Sequence, residues 1–150
     1  MTAFAAALAE YVGAGDCLLL KGTLGAGKTT LARGVIRALC GQETEVVSPT
    51  FLLVQEYEAK SGYPVAHYDL YRIEHARELY ELGMEEVLGH ALVLVEWPDV
   101  VGDCWPDDRL EIELGVDSAV PDRRSLQLRA QGGMVSALQQ FQSNWERHTA

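Results

Sequence analysis

The chain has 150 residues, of which 48% are hydrophobic and 23% are charged. This composition is typical of one globular domain spanning residues 1–150 and excludes an intrinsically disordered chain; no apolar run reaches the about 18 residues of a membrane span. The net charge of -10 argues against a protein that gathers nucleic acid by charge alone.

Apolar periodicity and turn-forming residues predict the elements of the chain in order. Helical periodicity predicts helices over residues 2–12, 29–40, 74–88 and 133–147. Short apolar or alternating runs predict strands over residues 17–21, 51–58, 63–71, 91–95, 110–114 and 126–128. The second and third strands are expected to form a β-hairpin across residues 60–62, and the last two a second antiparallel pair.

The order of these elements predicts the fold class. A strand, a glycine-rich loop and a helix come first, mixed strands follow, and a helix closes the chain. The apolar run at residues 91–95 is typical of a strand covered on both faces. We therefore expect an α/β fold of the P-loop NTPase type, with a mixed β-sheet flanked by helices on both sides.

The cysteines and the N-terminal residues bear on the compartment. Cys17, Cys40 and Cys104 are widely spaced and form no CxxC pair, so neither a zinc site nor a disulfide framework is predicted. The alanine-rich start lacks the basic region of a signal peptide. We expect a cytoplasmic protein with no membrane partner.

The strongest motif lies between the first strand and the second helix. The segment 22–29 fits G-x-x-x-x-G-K-[ST], in the strand–loop–helix context that a P-loop requires. Its backbone N–H groups and the helix N-terminus would cradle phosphates, Lys28 would meet the β- and γ-phosphates, and the Thr29 hydroxyl would serve Mg²⁺. The predicted nucleotide-binding residues are Gly22, Thr23, Leu24, Gly25, Ala26, Gly27, Lys28, Thr29, Thr30 and Trp97.

Hydrolysis or transfer of a phosphoryl group also needs a carboxylate near the metal ion and a group that senses the γ-phosphate. Glu96 directly follows the buried strand, where a metal-associated carboxylate is expected, and Asp69 would share a strand face with His67. Thr50 lies in a loop after the P-loop helix and could contact Mg²⁺ or the γ-phosphate. Trp97 could wall the nucleotide site, pack in the core or meet a partner.

The residues leave the class of P-loop protein open. No guanine-reading NKxD motif is present, because the sole asparagine, Asn144, precedes a tryptophan. A small metabolite or nucleoside kinase remains an alternative, with Arg123 and Arg124 as its best lid candidates, although both lie in a predicted hairpin turn. A module that binds ATP without turnover is the third possibility.

Four segments together resemble one known family. GTLGAGKTT, SPTF with Glu56-Tyr57 shortly after, HYDLYR and VEWP occur in this order between residues 22 and 98. This set resembles the TsaE family, also called YjeE, the bacterial ATPases required for N6-threonylcarbamoyladenosine formation at tRNA position 37. Only the P-loop would be specific by itself, and the last 20 or so residues carry no family motif.

The resemblance implies roles for individual residues. It implies a cytoplasmic ATPase in which Lys28 and its loop bind the phosphates and Thr29 and Asp69 serve Mg²⁺. Glu96, also a candidate Mg²⁺ ligand, would position or activate water. Thr50 would play a switch role, and Trp97 would lie near the nucleotide.

The resemblance also implies cofactors and partners. ATP and Mg²⁺ are the expected cofactors. The expected partners are TsaD, the threonylcarbamoyl transferase, and TsaB, its non-catalytic partner. Contact with tRNA is expected only indirectly, through that complex. The ATPase is expected to reset or activate the complex, to be slow alone and to be stimulated by the partners.

Overall fold

The fold is taken from a computed structural model that describes residues 1–49 and 52–149. The helices are α1 (Thr2–Ala9), α2 (Lys28–Cys40), α3 (Glu78–Glu81), α4 (Met84–Val87) and α5 (Met134–Thr149), with a 3-10 turn at Pro98–Val101. The strands are β1 (Cys17–Gly22), β2 (Val54–Glu58), β3 (Pro64–Asp69), β4 (Leu92–Glu96), β5 (Arg109–Val116) and β6 (Arg124–Gln131). No helix in these described ranges is both long and apolar enough to cross a membrane.

The strands form a mixed sheet in the order β2-β3-β4-β1-β5-β6. The four central strands run parallel, and β2 and β6 are antiparallel to their neighbours at the two edges. Strand β4 pairs with a strand on either side and is wholly buried, as expected for its continuous apolar run. Both predicted antiparallel pairs, β2 with β3 and β5 with β6, are confirmed.

Helices cover both faces of the sheet, which confirms the predicted fold class. Alternate residues of β1 point to opposite faces, so Leu18 and Leu20 pack with helices α1, α2 and α5. Leu19 packs on the other face, where α3 and α4 contribute Leu79 and Met84. Each face therefore has its own apolar core.

The predicted helix at residues 74–88 is wrong in extent. The structure has two four-residue helices there, α3 and α4, separated by Gly83 in a left-handed conformation with φ of 73°. A left-handed residue ends a helix because its backbone cannot continue the right-handed turn. The predicted strand at 51–58 begins only at Val54, after Leu53 at a φ of 65°; Phe51 lies outside the described residues.

The sheet topology brings distant chain segments to one edge. Strands β3, β4 and β1 lie side by side and run parallel, so their carboxyl ends meet. In this register Asp69 is the partner of Glu96, and Glu96 is the partner of Leu20. The glycine-rich loop of residues 22–27 leaves the same end of β1 and leads into α2, so this loop and the two carboxylates lie together.

Candidate nucleotide site

The loop between β1 and α2 has the backbone conformation that its glycines allow. Gly27 precedes α2 with φ of 108°, in the left-handed region where a side chain would be strained. A Cβ on Gly22 would lie 2.7 Å from the Leu114 carbonyl oxygen, which leaves no room for any larger residue. The loop thus turns sharply and presents the N-terminus of α2, the positive end of the helix dipole, to the cleft.

Lys28 folds back into this loop. Its ammonium donates hydrogen bonds to the carbonyl oxygens of Gly22, at 2.7 Å, and Thr23, at 2.8 Å. Burial lowers the pKa of the Lys28 ammonium below its ordinary value, while the carboxylates of Glu96 and Asp69 act in the opposite direction. The cation is thereby held within the loop instead of extending into solvent.

Glu96 joins the loop to the end of β4. The Thr29 hydroxyl donates a 2.6 Å hydrogen bond to Glu96 Oε1, across 67 residues of sequence. The second carboxylate oxygen, Oε2, lies 3.0 Å from Nε2 of His67 on β3. Glu96 is 2% exposed, so both contacts are made away from bulk water, where hydrogen bonds to a charged group are strong.

Asp69 lies beside Glu96 at the end of β3 and is equally buried. Its Oδ1 accepts a hydrogen bond from the Tyr71 backbone N–H at 3.0 Å, which fixes the turn after the strand. Thr29, Asp69 and Glu96 together offer hard oxygen donors, the type that Mg²⁺ prefers.

This donor set fits a metal ion shared with a substrate. Within residues 1–49 and 52–149, no three His, Cys, Asp or Glu side chains are grouped to hold a metal. Mg²⁺ commonly takes one or two protein carboxylates and completes its ligands with phosphate oxygens and water. The residues present therefore fit Mg²⁺ bound together with a nucleotide.

One aromatic ring lies over the lysine, and a second ring packs against the first. The Lys28 Nζ lies 4.0 Å from the centroid of the Trp97 ring, a cation–π contact, and Tyr71 packs against Trp97 at 4.9 Å. Trp97 holds a left-handed backbone with φ of 60° immediately before Pro98, which is uncommon for a bulky residue. The Trp97 ring lies at the loop and lines the same cleft as Lys28.

These groups line one open cleft of about 340 Å³. Its lining residues are Leu24, Gly25, Gly27, Lys28, Thr29, Thr30, Asp69, Tyr71, Arg72, Glu96 and Trp97. Gly22, Thr23 and Ala26 form the body of the loop behind the cleft. Thr50, the predicted switch residue, lies outside the described residues.

Three further residues of this region have roles that were not predicted from the sequence. Tyr71 and Arg72 line the cleft. The sequence could have indicated both as site residues, because they belong to the HYDLYR segment. Arg124 supports the loop from behind, since its Nε donates to the Ala26 carbonyl oxygen at 3.0 Å. Neither Arg123 nor Arg124 lines the cleft, so the lid expected of the kinase alternative is not built from them.

Comparison with known families shows the family of this chain. A family model described as "Threonylcarbamoyl adenosine biosynthesis protein TsaE" matches residues 1–125. The chain belongs to the TsaE family. The resemblance drawn from its four motifs is thereby confirmed.

Individual relatives agree with the family assignment. Proteins named "tRNA threonylcarbamoyladenosine biosynthesis protein TsaE" include one from Rickettsia conorii, 43% identical over 71% of this chain and 61% of its own length. Another, from Bacillus subtilis, is 36% identical over 91% of this chain and 83% of its own. The match spans less than two thirds of the Rickettsia conorii and Rickettsia felis proteins, 61% and 63%.

A solved structure supports the fold directly. The crystal structure of YdiB from Bacillus subtilis superposes with a TM-score of 0.73 at 30% sequence identity. The superposition covers 99% of this chain and 88% of that one. The mixed sheet and its flanking helices are therefore shared with an experimentally determined protein.

Proposed function

We propose that this TsaE-family protein binds ATP with Mg²⁺ and hydrolyses it as an accessory of tRNA threonylcarbamoyladenosine formation. The observation that carries the proposal is the 2.6 Å hydrogen bond from Thr29 to Glu96. It joins the end of a phosphate-binding loop to a buried carboxylate on the neighbouring strand. Phosphoryl transfer to water needs these two parts side by side.

The triphosphate lies over the P-loop and the N-terminus of α2. Backbone N–H groups at that end have no partner within the helix, so they are free to donate to phosphate oxygens. Phosphate oxygens replace the Gly22 and Thr23 carbonyls as acceptors for the Lys28 ammonium. Trp97, which already covers Lys28, walls the same side of the cleft.

Glu96 prepares the attacking water. Its carboxylate accepts a proton from the water while the water oxygen forms a bond to the γ-phosphorus. The bond between that phosphorus and the β,γ-bridging oxygen breaks, and ADP leaves with the electron pair. Thr29, Asp69 and Glu96 would hold Mg²⁺, which neutralises charge that develops on the phosphate oxygens.

The biological setting follows from the family and from the charge. Relatives carry the name of tRNA threonylcarbamoyladenosine biosynthesis. We propose that in that setting ATP turnover serves a complex with TsaD and TsaB. A chain of net charge -10 is poorly suited to collect tRNA by itself. The tRNA is therefore handled by the partner subunits, and this protein acts on them.

Phosphate release measured without any phosphoryl acceptor tests the proposal. We expect slow Mg²⁺-dependent release of phosphate from ATP by the protein alone and faster release when TsaD and TsaB are added. Release that requires a small-molecule acceptor would support a kinase instead. ATP binding without release, with or without the partners, would leave a binding module and overturn the proposal.

A further inference from the structure

His67 is a buried polar side chain in the middle of strand β3, which ends at Asp69. It lies on β3 on the same face as Val65 and Asp69, and its side chain is 0% exposed. Burying an imidazole away from water is unfavourable unless its polar atoms are hydrogen-bonded. The hydrogen-bond partners of the His67 ring therefore indicate the role of this residue.

The ring directs one nitrogen at Glu96. Nε2 lies 3.0 Å from Glu96 Oε2, whereas Nδ1 is buried and has no hydrogen-bond partner among residues 1–49 and 52–149. A carboxylate oxygen accepts, so the proton in this contact is assigned to Nε2. The Nε2–H of the ring is thus used on Glu96.

The contact fixes the carboxylate from the side opposite Thr29. Glu96 Oε1 accepts from the Thr29 hydroxyl at 2.6 Å, so the two oxygens are held by donors on two different elements, α2 and β3. With one donor removed, the carboxylate group is free to rotate about its last side-chain bond. A general base that rotates loses the alignment on which proton transfer depends.

We propose that His67 is a positioning residue that orients the Glu96 carboxylate towards the cleft through its Nε2–H. Its effect on catalysis rests on the proposed ATPase function. The hydrogen bond itself is a property of the ligand-free protein and can be tested without turnover.

Nuclear magnetic resonance of the ligand-free protein tests the hydrogen bond. We expect one slowly exchanging Nε2 proton, from the buried histidine ring, whose signal disappears in His67→Gln and shifts in Glu96→Ala. The histidines at positions 75, 90 and 148 provide internal references. A His67 ring protonated on Nδ1 and not on Nε2, or a His67 signal unaffected by Glu96→Ala, would overturn the proposal.

Kinetics of two variants test the consequence. His67→Leu removes the donor and should lower kcat for ATP hydrolysis about 10–100-fold with little change in ATP affinity, the range typical when a supporting hydrogen bond to an active-site ligand is lost. His67→Gln keeps an N–H donor and should recover part of kcat. Val65→Ala, on the same strand face and equally buried, is the control for a general packing defect and should keep kcat.

The outcomes separate this proposal from the ATPase proposal. No phosphate release by the wild type would contradict the ATPase function and leave the resonance test standing. Normal release by the wild type and by His67→Leu would contradict the role of His67 alone. Equal losses of kcat in His67→Leu and Val65→Ala would show that His67 acts only through packing and would contradict its positioning role.

Discussion

At the scale of single residues, burial of polar groups identifies the site. Among the described residues, the buried polar or charged side chains are Lys28, His67, Asp69 and Glu96. Charged side chains are rarely buried without partners, because transfer out of water costs several kcal/mol. Their convergence at one edge of the sheet is the kind of arrangement typical of functional sites.

Substitution of Lys28 tests the phosphate site. Lys28→Ala should weaken ATP binding by about 1.5–3 kcal/mol, the contribution of a hydrogen bond to a charged group, as measured by titration calorimetry. Lys21→Ala is the matched control, because Lys21 forms ion pairs with Asp99 and Glu111 and does not line the cleft. Unchanged ATP affinity in Lys28→Ala would remove this lysine from the site.

At the scale of elements, sequence patterns predicted the strands and turns that depend on residues close together in the chain. The hairpin β2–β3 and the buried strand β4 follow from apolar alternation and short turns, both visible in the sequence. The helix expected at 74–88 failed at Gly83, because periodicity does not reveal a left-handed backbone. The partners of Glu96 could not be derived from pattern, since the contact with His67 depends on β3 pairing with β4 across 29 residues.

A long-range contact between β6 and the P-loop gives a second prediction. The Arg124 guanidinium donates to the Ala26 carbonyl oxygen, so it braces the loop from outside the cleft. Arg124→Gln should weaken ATP binding, by at most the about 1.5–3 kcal/mol of such a bond, because the loop loses part of its preorganisation. The neighbouring Arg123→Gln, whose side chain is 70% exposed and pairs with Asp117, should leave ATP affinity unchanged in the same calorimetric titration. Equal effects of the two substitutions would contradict the brace.

At the scale of the whole molecule, the proposed function requires the nucleotide site to communicate with the partner. Such coupling needs a segment with different interactions in the ATP and ADP states. The segment 44–51 is the candidate, because it follows α2 and contains Thr50, the residue proposed to sense the γ-phosphate. The net charge of -10 disfavours direct collection of tRNA by charge, which agrees with the proposal that protein partners receive this signal.

Assembly measured by analytical ultracentrifugation tests this coupling. We expect ATP to favour assembly with TsaD and TsaB more than ADP does, because only ATP supplies the γ-phosphate. Thr50→Ala should reduce the difference between the two nucleotides more than it reduces ATP affinity. Equal assembly of the wild type with ATP and ADP would exclude the switch.

We expect the carboxylate joined to the P-loop to drive hydrolysis, and one paired measurement on Glu96→Gln tests this role. The substitution keeps the shape of the side chain but removes the base, so ATP should still bind while phosphate release falls about 100-fold or more. Both quantities are measured on the same preparations, with TsaD and TsaB present, for wild type and variant. Normal release by Glu96→Gln would contradict the account.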